Sequence, residues 1–318
     1  MSGLFKIFID EQGNSLILVT ISLTLFLALS AVVVDLGLSM LEQENLQQGL
    51  DAAVLAGTRE LVENPAEALT VAENYLMKNI NTVSSYQITK NAFGQGLDAK
   101  GLQKVNYFFA PIIGFIKGNV GAKSSARVSN ISAVQGAAPL AVEEHNFLSD
   151  TPYVLRQSPN GFSFSNYLGP GNFGAISLGQ SGSSTYEENL KYGYSGLLTI
   201  GSIVETETGN MAGPTKRGVD YVLSQCDSSP QCTPENFEPG CPRVLLIPVY
   251  KDLGYVSSQV KQIEIVGFAA FMVTETSGGG INSEITGYFV KTVTVGIPSD
   301  AAPDFGLHTL RLVNGEGQ

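Results

Sequence analysis

Residues 15–34, SLILVTISLTLFLALSAVVV, run for twenty positions without a charge, and this run constrains the chain more than any other feature. As an α-helix it is ~30 Å long, the thickness of a bilayer hydrocarbon core. Thirteen of the twenty are Leu, Ile, Val or Phe. Together they supply roughly −4 to −8 kcal/mol of insertion free energy, which outweighs the five Ser and Thr. A core helix of a soluble domain rarely stays uncharged on every face for five turns. A cleaved signal peptide has a shorter apolar region, about 7 to 15 residues, behind a basic leader. Here the leader sets Lys6 against Asp10 and Glu11, and the run continues past the small residues Ala28-Leu29-Ser30. The expectation is a permanent single-pass anchor over 15–34, preceded by a short cytoplasmic leader, 1–14. Lys6 lies before the span, and no Lys or Arg follows it until Arg59. Counting Lys and Arg alone therefore places the N-terminus inside and the body outside the cell membrane.

The helical pattern continues beyond the apolar run. Leu46, Leu50, Val54, Gly57 and Leu61 recur at spacings of three and four, with Glu42, Glu44, Gln47, Gln48, Asp51 and Glu60 between them. That periodicity predicts an amphipathic stalk over 35–63. Gly49, Ala53 and Gly57 stand four apart on one side, where small side chains admit close approach of another backbone. The partner is either a helix of another protein in an assembly or the chain's own domain. Asn64-Pro65-Ala66-Glu67 predicts the start of a second helix, through 79.

The rest of the chain is strand-like. Residues 86–93, 101–109 and 120–134 define a small α/β module over 64–135, with APIIGFIKG (110–118) as a short apolar turn. Gly136-Ala137-Ala138-Pro139 is a boundary signal. From 139 to 318, β-like segments at 244–250, 262–275 and 284–297 predict a β-rich, sandwich-like domain, and IVGFAAFMV predicts a strand buried on both faces. Residues 300–318 carry no strong pattern and are expected to be a tail. The overall class is α+β.

The net charge of −11 and the lack of a basic stripe exclude nucleic acid as a partner. The cysteines, Cys226, Cys232 and Cys241, have the spacing C-x5-C-x8-C, which matches no zinc pattern; outside the cell, the segment is either one local disulfide with a leftover thiol or a variable surface loop that happens to carry cysteines. Glu205, Glu207 and Asn210 in ETETGNMAGPTKRG offer oxygen ligands for calcium but fit no EF-hand loop, and a turn shaped by Gly209, Gly213 and Pro214 is the simpler account. His145 stands beside two Glu, and His308 near Asp304 has no nucleophile context. No G-x-S-x-G elbow and no phosphate loop occurs. No catalytic residue, cofactor or metal is expected.

The leader ending in Gly13, the span, the exit Asp35-Leu36-Gly37, and Leu46-Gln47 followed by Asp51-Ala52-Ala53 resemble the N-terminal segment of the TadE/TadG-like family of the Tad (Flp-type) pilus-assembly system. GNFGAISLG, the stretch from Tyr186 to Tyr221 and IEIVGFAAF are similar to the long C-terminal regions of Tad-domain proteins from Gram-positive bacteria. Pilins of this broad class are cut after a Gly whose fifth following residue is Glu. Gly13 is thus the candidate processing site, but Leu18 stands at the fifth position, which departs from a major pilin. Some relatives carry an adhesion motif beginning Asp-x-Ser-x-Ser, and Asp227-Ser228-Ser229-Pro230-Gln231 fails it at the last position. The resemblance implies a non-catalytic, membrane-anchored pilus-assembly factor or minor pilin-like subunit, whose partners are the lipid membrane and other pilus proteins. The alternative is a membrane-tethered β-domain that binds calcium or a cell-wall ligand.

Overall fold

A computed structural model describes residues 11–80, 83–92, 94–149, 151–157, 172–207, 210–228, 231–251, 262–277 and 284–313. The element order is α1 (Glu11–Glu63), α2 (Ala68–Asn79), β1 (Ser85–Lys90), β2 (Gly96–Asn106), a 3-10 turn (Ala110–Ile113), β3 (Lys117–Gln135), β4 (Leu140–Glu143), β5 (Pro152–Gln157) and β6 (Asn172–Ala175). It continues with α3 (Ser183–Tyr192), β7 (Leu197–Thr199), β8 (Ile203–Glu205), α4 (Ala212–Ser224), β9 (Val244–Lys251), β10 (Gln262–Ser277), β11 (Glu284–Val290), β12 (Thr292–Val293), β13 (Gly296–Pro298) and β14 (Leu307–Val313). The α+β class holds. The chain divides into two compact units, residues 1–58, 66–126 and 312–318, and residues 59–65 and 127–311. The division falls inside β3, ahead of the boundary signal at 136–139.

In the first unit the stalk half of α1 packs on the chain's own module. Leu46, Leu50, Ala53 and Val54 are buried together with Ala68, Ala72 and Leu76 of α2 and Leu97, Ala99 and Val105 of β2. β1 and β2 form an antiparallel hairpin in which Ser85 faces Leu102 and Lys90 faces Leu97, and β3 follows β2 in the sheet. Strand β2 alternates buried and exposed residues, so one face meets the helices and the other meets solvent. The stalk's polar side chains also bind the sheet. The side-chain amide of Gln47 donates to the Lys123 carbonyl at 2.9 Å, and that of Gln103 donates to Glu42 at 2.5 Å.

In the second unit β11, β5, β6, β4, β9 and β10 pair in that order, and β10 pairs back to β11, so the six strands close into a ring, with β8 added on β10. Closure gives each of these six strands a partner on both sides, although β4 meets β9, and β5 meets β6, over only two residues each. One face of every strand joins a single cluster with Tyr186 and Leu190 of α3 and Val219 and Val222 of α4. The alternate residues of β10 (Ile263, Ile265, Phe268, Ala270, Met272) join a second cluster with Ile131 and Val134 of β3 and Leu198 of β7. Strand β10 is therefore buried on both faces, as its apolar continuity predicts.

Two local expectations are corrected. The segment read as a glycine-rich turn starts a helix: Gly213 and Pro214 fall in the first turn of α4, where proline's fixed φ and missing N–H do no harm. Residues 307–313 form strand β14 rather than a tail, with Leu307, His308 and Thr309 buried and β12 paired to it in parallel.

Candidate functional site

The first half of α1 is the only helix among the described residues long and apolar enough to cross a membrane. Its most apolar 18-residue window has a mean hydropathy of 2.7, and none of it is buried in the protein. Three of its hydroxyl groups are satisfied within the helix. Thr20 donates to the Leu16 carbonyl, Thr24 to that of Thr20 and Ser30 to that of Phe26, at 2.8–2.9 Å. These three side chains thus leave no hydroxyl donor unmet on the surface of the apolar half. Gly13 lies in the first turn of this helix.

At the end of the apolar run the helix meets the module. The Asp35 carboxylate, only 6% exposed, accepts the backbone N–H groups of Phe108 (2.7 Å), Phe109 (3.1 and 3.2 Å) and Ala110 (2.6 Å). Partial burial pushes the carboxyl upward in pKa, but the three backbone donors together outweigh it, and the net shift is downward. The residue that ends the uncharged run thus caps the 3-10 turn between β2 and β3.

The small-residue face is occupied. A side chain at Gly49 would collide with Ile80 at the end of α2, and one at Gly57 would collide with Leu97, the Ala68 carbonyl and Ala72. Ala53 is fully buried. Of the two partners left open by the spacing, the structure places the chain's own α2 and β2 against this face.

In the second unit the three cysteines converge. The Sγ atoms of Cys226, Cys232 and Cys241 lie within 4.8 Å of one another, and this is the only such grouping of potential ligands among the described residues. Cys232 and Cys241 are buried, and all three are free thiols. A hydrogen bond with Ser228, aided by the neighbouring thiols, brings Cys232 down to about 7. Burial pushes Cys241 up to about 12. The cluster suits one disulfide with a third thiol beside it, or a three-thiolate set for a borderline or soft metal with one position open. The Arg243 guanidinium, 5% exposed, holds the loop by donating to the carbonyls of Cys232 (3.2 Å), Val273 (3.0 Å) and Thr274 (3.3 Å).

Two of the three side chains considered for calcium, Glu207 and Asn210, have structural tasks. Glu207 accepts the Gly182 N–H at 3.0 and 3.2 Å, ahead of α3. Asn210 Oδ1 accepts the Ala212 N–H at 2.9 Å, at the start of α4. The backbone carbonyl of Glu205, at the end of β8, accepts the Ser177 N–H at 2.8 Å. Residues 229–230 of the adhesion-like segment lie outside the described residues.

His145 has Nδ1 2.7 Å from the Glu143 carbonyl and its ring edge-on to Phe147 at 4.0 Å. His308 Nε2 pairs with Asp304 Oδ1 at 3.1 Å. The hydrogen bond to His308 brings Asp304 down to about 2. His145, Lys291 and Asp304 line one cleft of about 370 Å³, which sequence spacing gave no means to foresee.

Residues 13–60 match the family model described as "Putative Flp pilus-assembly TadE/G-like". No curated protein and no solved structure matches the chain. The matched segment covers the span, the Asp35 junction and the stalk packed on α2 and β2.

Proposed function

We propose that this chain, TadE/TadG-like in its N-terminal segment, is a non-catalytic, single-pass component of a Tad/Flp-type pilus, acting as an assembly factor or minor pilin-like subunit with its body outside the cell. One observation carries the reading. The helix matched by the family has an apolar half with no cover inside the protein and a second half that packs on the chain's own module through Leu46, Leu50, Ala53 and Val54. The covered half fixes the module to the anchor, and the bare half is left for lipid and for apolar segments of other subunits within the membrane.

Three further features support it. Leu18 in place of the pilin Glu disfavours a major-pilin role. The small-residue face is used internally, so contacts with other subunits fall to the exposed part of α1 and to the surface of the body. The calcium alternative draws no support from Glu207 and Asn210, since both cap helices.

The test is co-purification of the full chain from crosslinked membranes with other pilus-assembly proteins. A companion variant carries a polyleucine span of equal length in place of residues 15–34. The expected result is recovery of pilus proteins with the native span, and their loss with polyleucine although the chain remains in the membrane. Recovery of the native chain free of every pilus component contradicts the reading.

A further inference from the structure

The 3-10 turn capped by Asp35 presents a cluster of exposed large apolar residues on the module. Phe108 is 72% exposed, Ile112 82%, Phe115 65% and Ile116 63%. They crowd into nine residues between β2 and β3, and no charged residue interrupts them until Lys117 at the base of β3. The loop is well formed. Tyr107 N–H donates to the Ile116 carbonyl at 3.2 Å and Phe115 N–H to the Ala110 carbonyl at 3.0 Å. Gly114 closes the turn at φ +93°, a conformation that glycine adopts without strain. A fixed, solvent-facing cluster of this kind on a water-soluble surface marks a contact with an apolar partner.

The position of the loop identifies the partner. Its backbone is tied by three N–H groups to Asp35, the residue immediately after the uncharged run 15–34. At about 1.5 Å per residue, the tie lies within one helical turn of the end of that run. The headgroup layer of a bilayer is several Å thick on each side, so the loop sits at the level where the helix leaves the hydrocarbon. Exposed Leu36 on α1 continues the apolar surface there. Tyr107 and Lys117 flank the loop, with residue types that favour the membrane–water boundary.

We infer that residues 108–116 are a second membrane contact, a loop that inserts Phe108, Ile112, Phe115 and Ile116 into the outer interfacial layer of the lipid bilayer beside the anchor helix. The inference rests on the reading of 15–34 as a membrane anchor. Two attachment points, joined through Asp35, would hold the module at a set height and restrain its rotation about the helix axis.

The chain contains no tryptophan, so a single Trp is a unique probe. The full chain is reconstituted into phosphatidylcholine–phosphatidylglycerol vesicles that carry lipids brominated either near the headgroup end or deep in the acyl chains. Four variants are compared: Phe26→Trp in the span, Ile112→Trp and Phe115→Trp in the loop, and Tyr75→Trp on α2, which packs against α1 at Gly49 and Gly57, well beyond Asp35. The expected result is that the Phe26→Trp variant loses most of its emission to deep bromines, both loop variants lose most of theirs to shallow bromines, and Tyr75→Trp is affected by neither. Quenching of Phe26→Trp, with loop variants untouched by bromine and open to aqueous acrylamide, overturns the inference and leaves the anchor intact. Loop variants shielded from both quenchers place the loop against protein, such as a second copy, and also overturn it. An unquenched Phe26→Trp refutes the anchor itself, and the inference falls with it.

Discussion

Asp35 accepts the backbone N–H of Ala110 at 2.6 Å across seventy-five residues of chain, and the same carboxylate serves Phe108 and Phe109. Alanine at this position removes every acceptor and leaves three partly buried donors unmet. Asp35→Ala is expected to lower the thermal midpoint of the full chain in detergent and to expose the loop to protease, with Asp35→Asn intermediate. Because the folded pKa is depressed, the carboxylate stabilises the fold above its unfolded pKa of about 3.9, and that contribution is lost as pH falls through the folded value. The wild-type and Asp35→Ala midpoints should therefore differ most near neutrality and converge in strong acid. A difference that does not change with pH would contradict this role.

Gly57 has no room for a side chain between Leu97, Ala72 and the Ala68 carbonyl. Gly57→Leu is expected to destabilise the isolated chain by about 1–3 kcal/mol or more through overpacking, measured by denaturant unfolding in the absence of any other pilus protein. Unchanged stability of the isolated chain would return the glycine to a contact between proteins.

The cysteine cluster makes a prediction about mass. In protein recovered from the extracytoplasmic side, two of Cys226, Cys232 and Cys241 should be joined, with one thiol open to alkylation after unfolding. Reduction should then expose the other two. Three alkylated thiols together with one equivalent of metal per chain would assign the cluster to a thiolate metal site.

Arg243 is buried, and its three carbonyl partners lie on β10 and the cysteine loop. Hydrogen bonds to charged groups are worth about 1.5–3 kcal/mol in mutational series. Arg243→Ala should cost at least that, and Arg243→Lys most of it, because a point ammonium cannot reach three diverging acceptors. Chemical denaturation of the variants measures both, and a loss within about 0.5 kcal/mol, typical of surface substitutions, would contradict the structural role.

The long apolar helix and its packed continuation were legible in the sequence because their signals are local: absence of charge at 15–34, and apolar spacing of three and four from Leu46 onward. The both-face burial of β10 was legible for the same reason. Features that depend on pairing distant residues were not. Nothing in C-x5-C-x8-C reveals that three thiols meet, and nothing in the strands reveals that β11, besides its hairpin with β10, pairs with the distant β5 to close a ring. The loop at 110–118 was recognisable as an apolar turn, but its role depends on Asp35, an acidic residue that by sequence looks like an ordinary end to a span. Helix α4 was hidden by Gly213 and Pro214, which signal a turn unless Asn210 is known to cap a helix start. Strand β14 was missed because two of its three buried residues are His308 and Thr309, residue types that carry little apolar signal.

The central claim is that residues 15–34 remain as a permanent anchor, and the mature N-terminus tests it most directly. Intact mass and N-terminal sequencing should be carried out on protein from the membrane fraction, the sheared surface fraction and the medium. The account predicts a membrane-bound chain that retains residues 1–13. A chain that starts near Ala31 or Val32 and is recovered from the medium would contradict it.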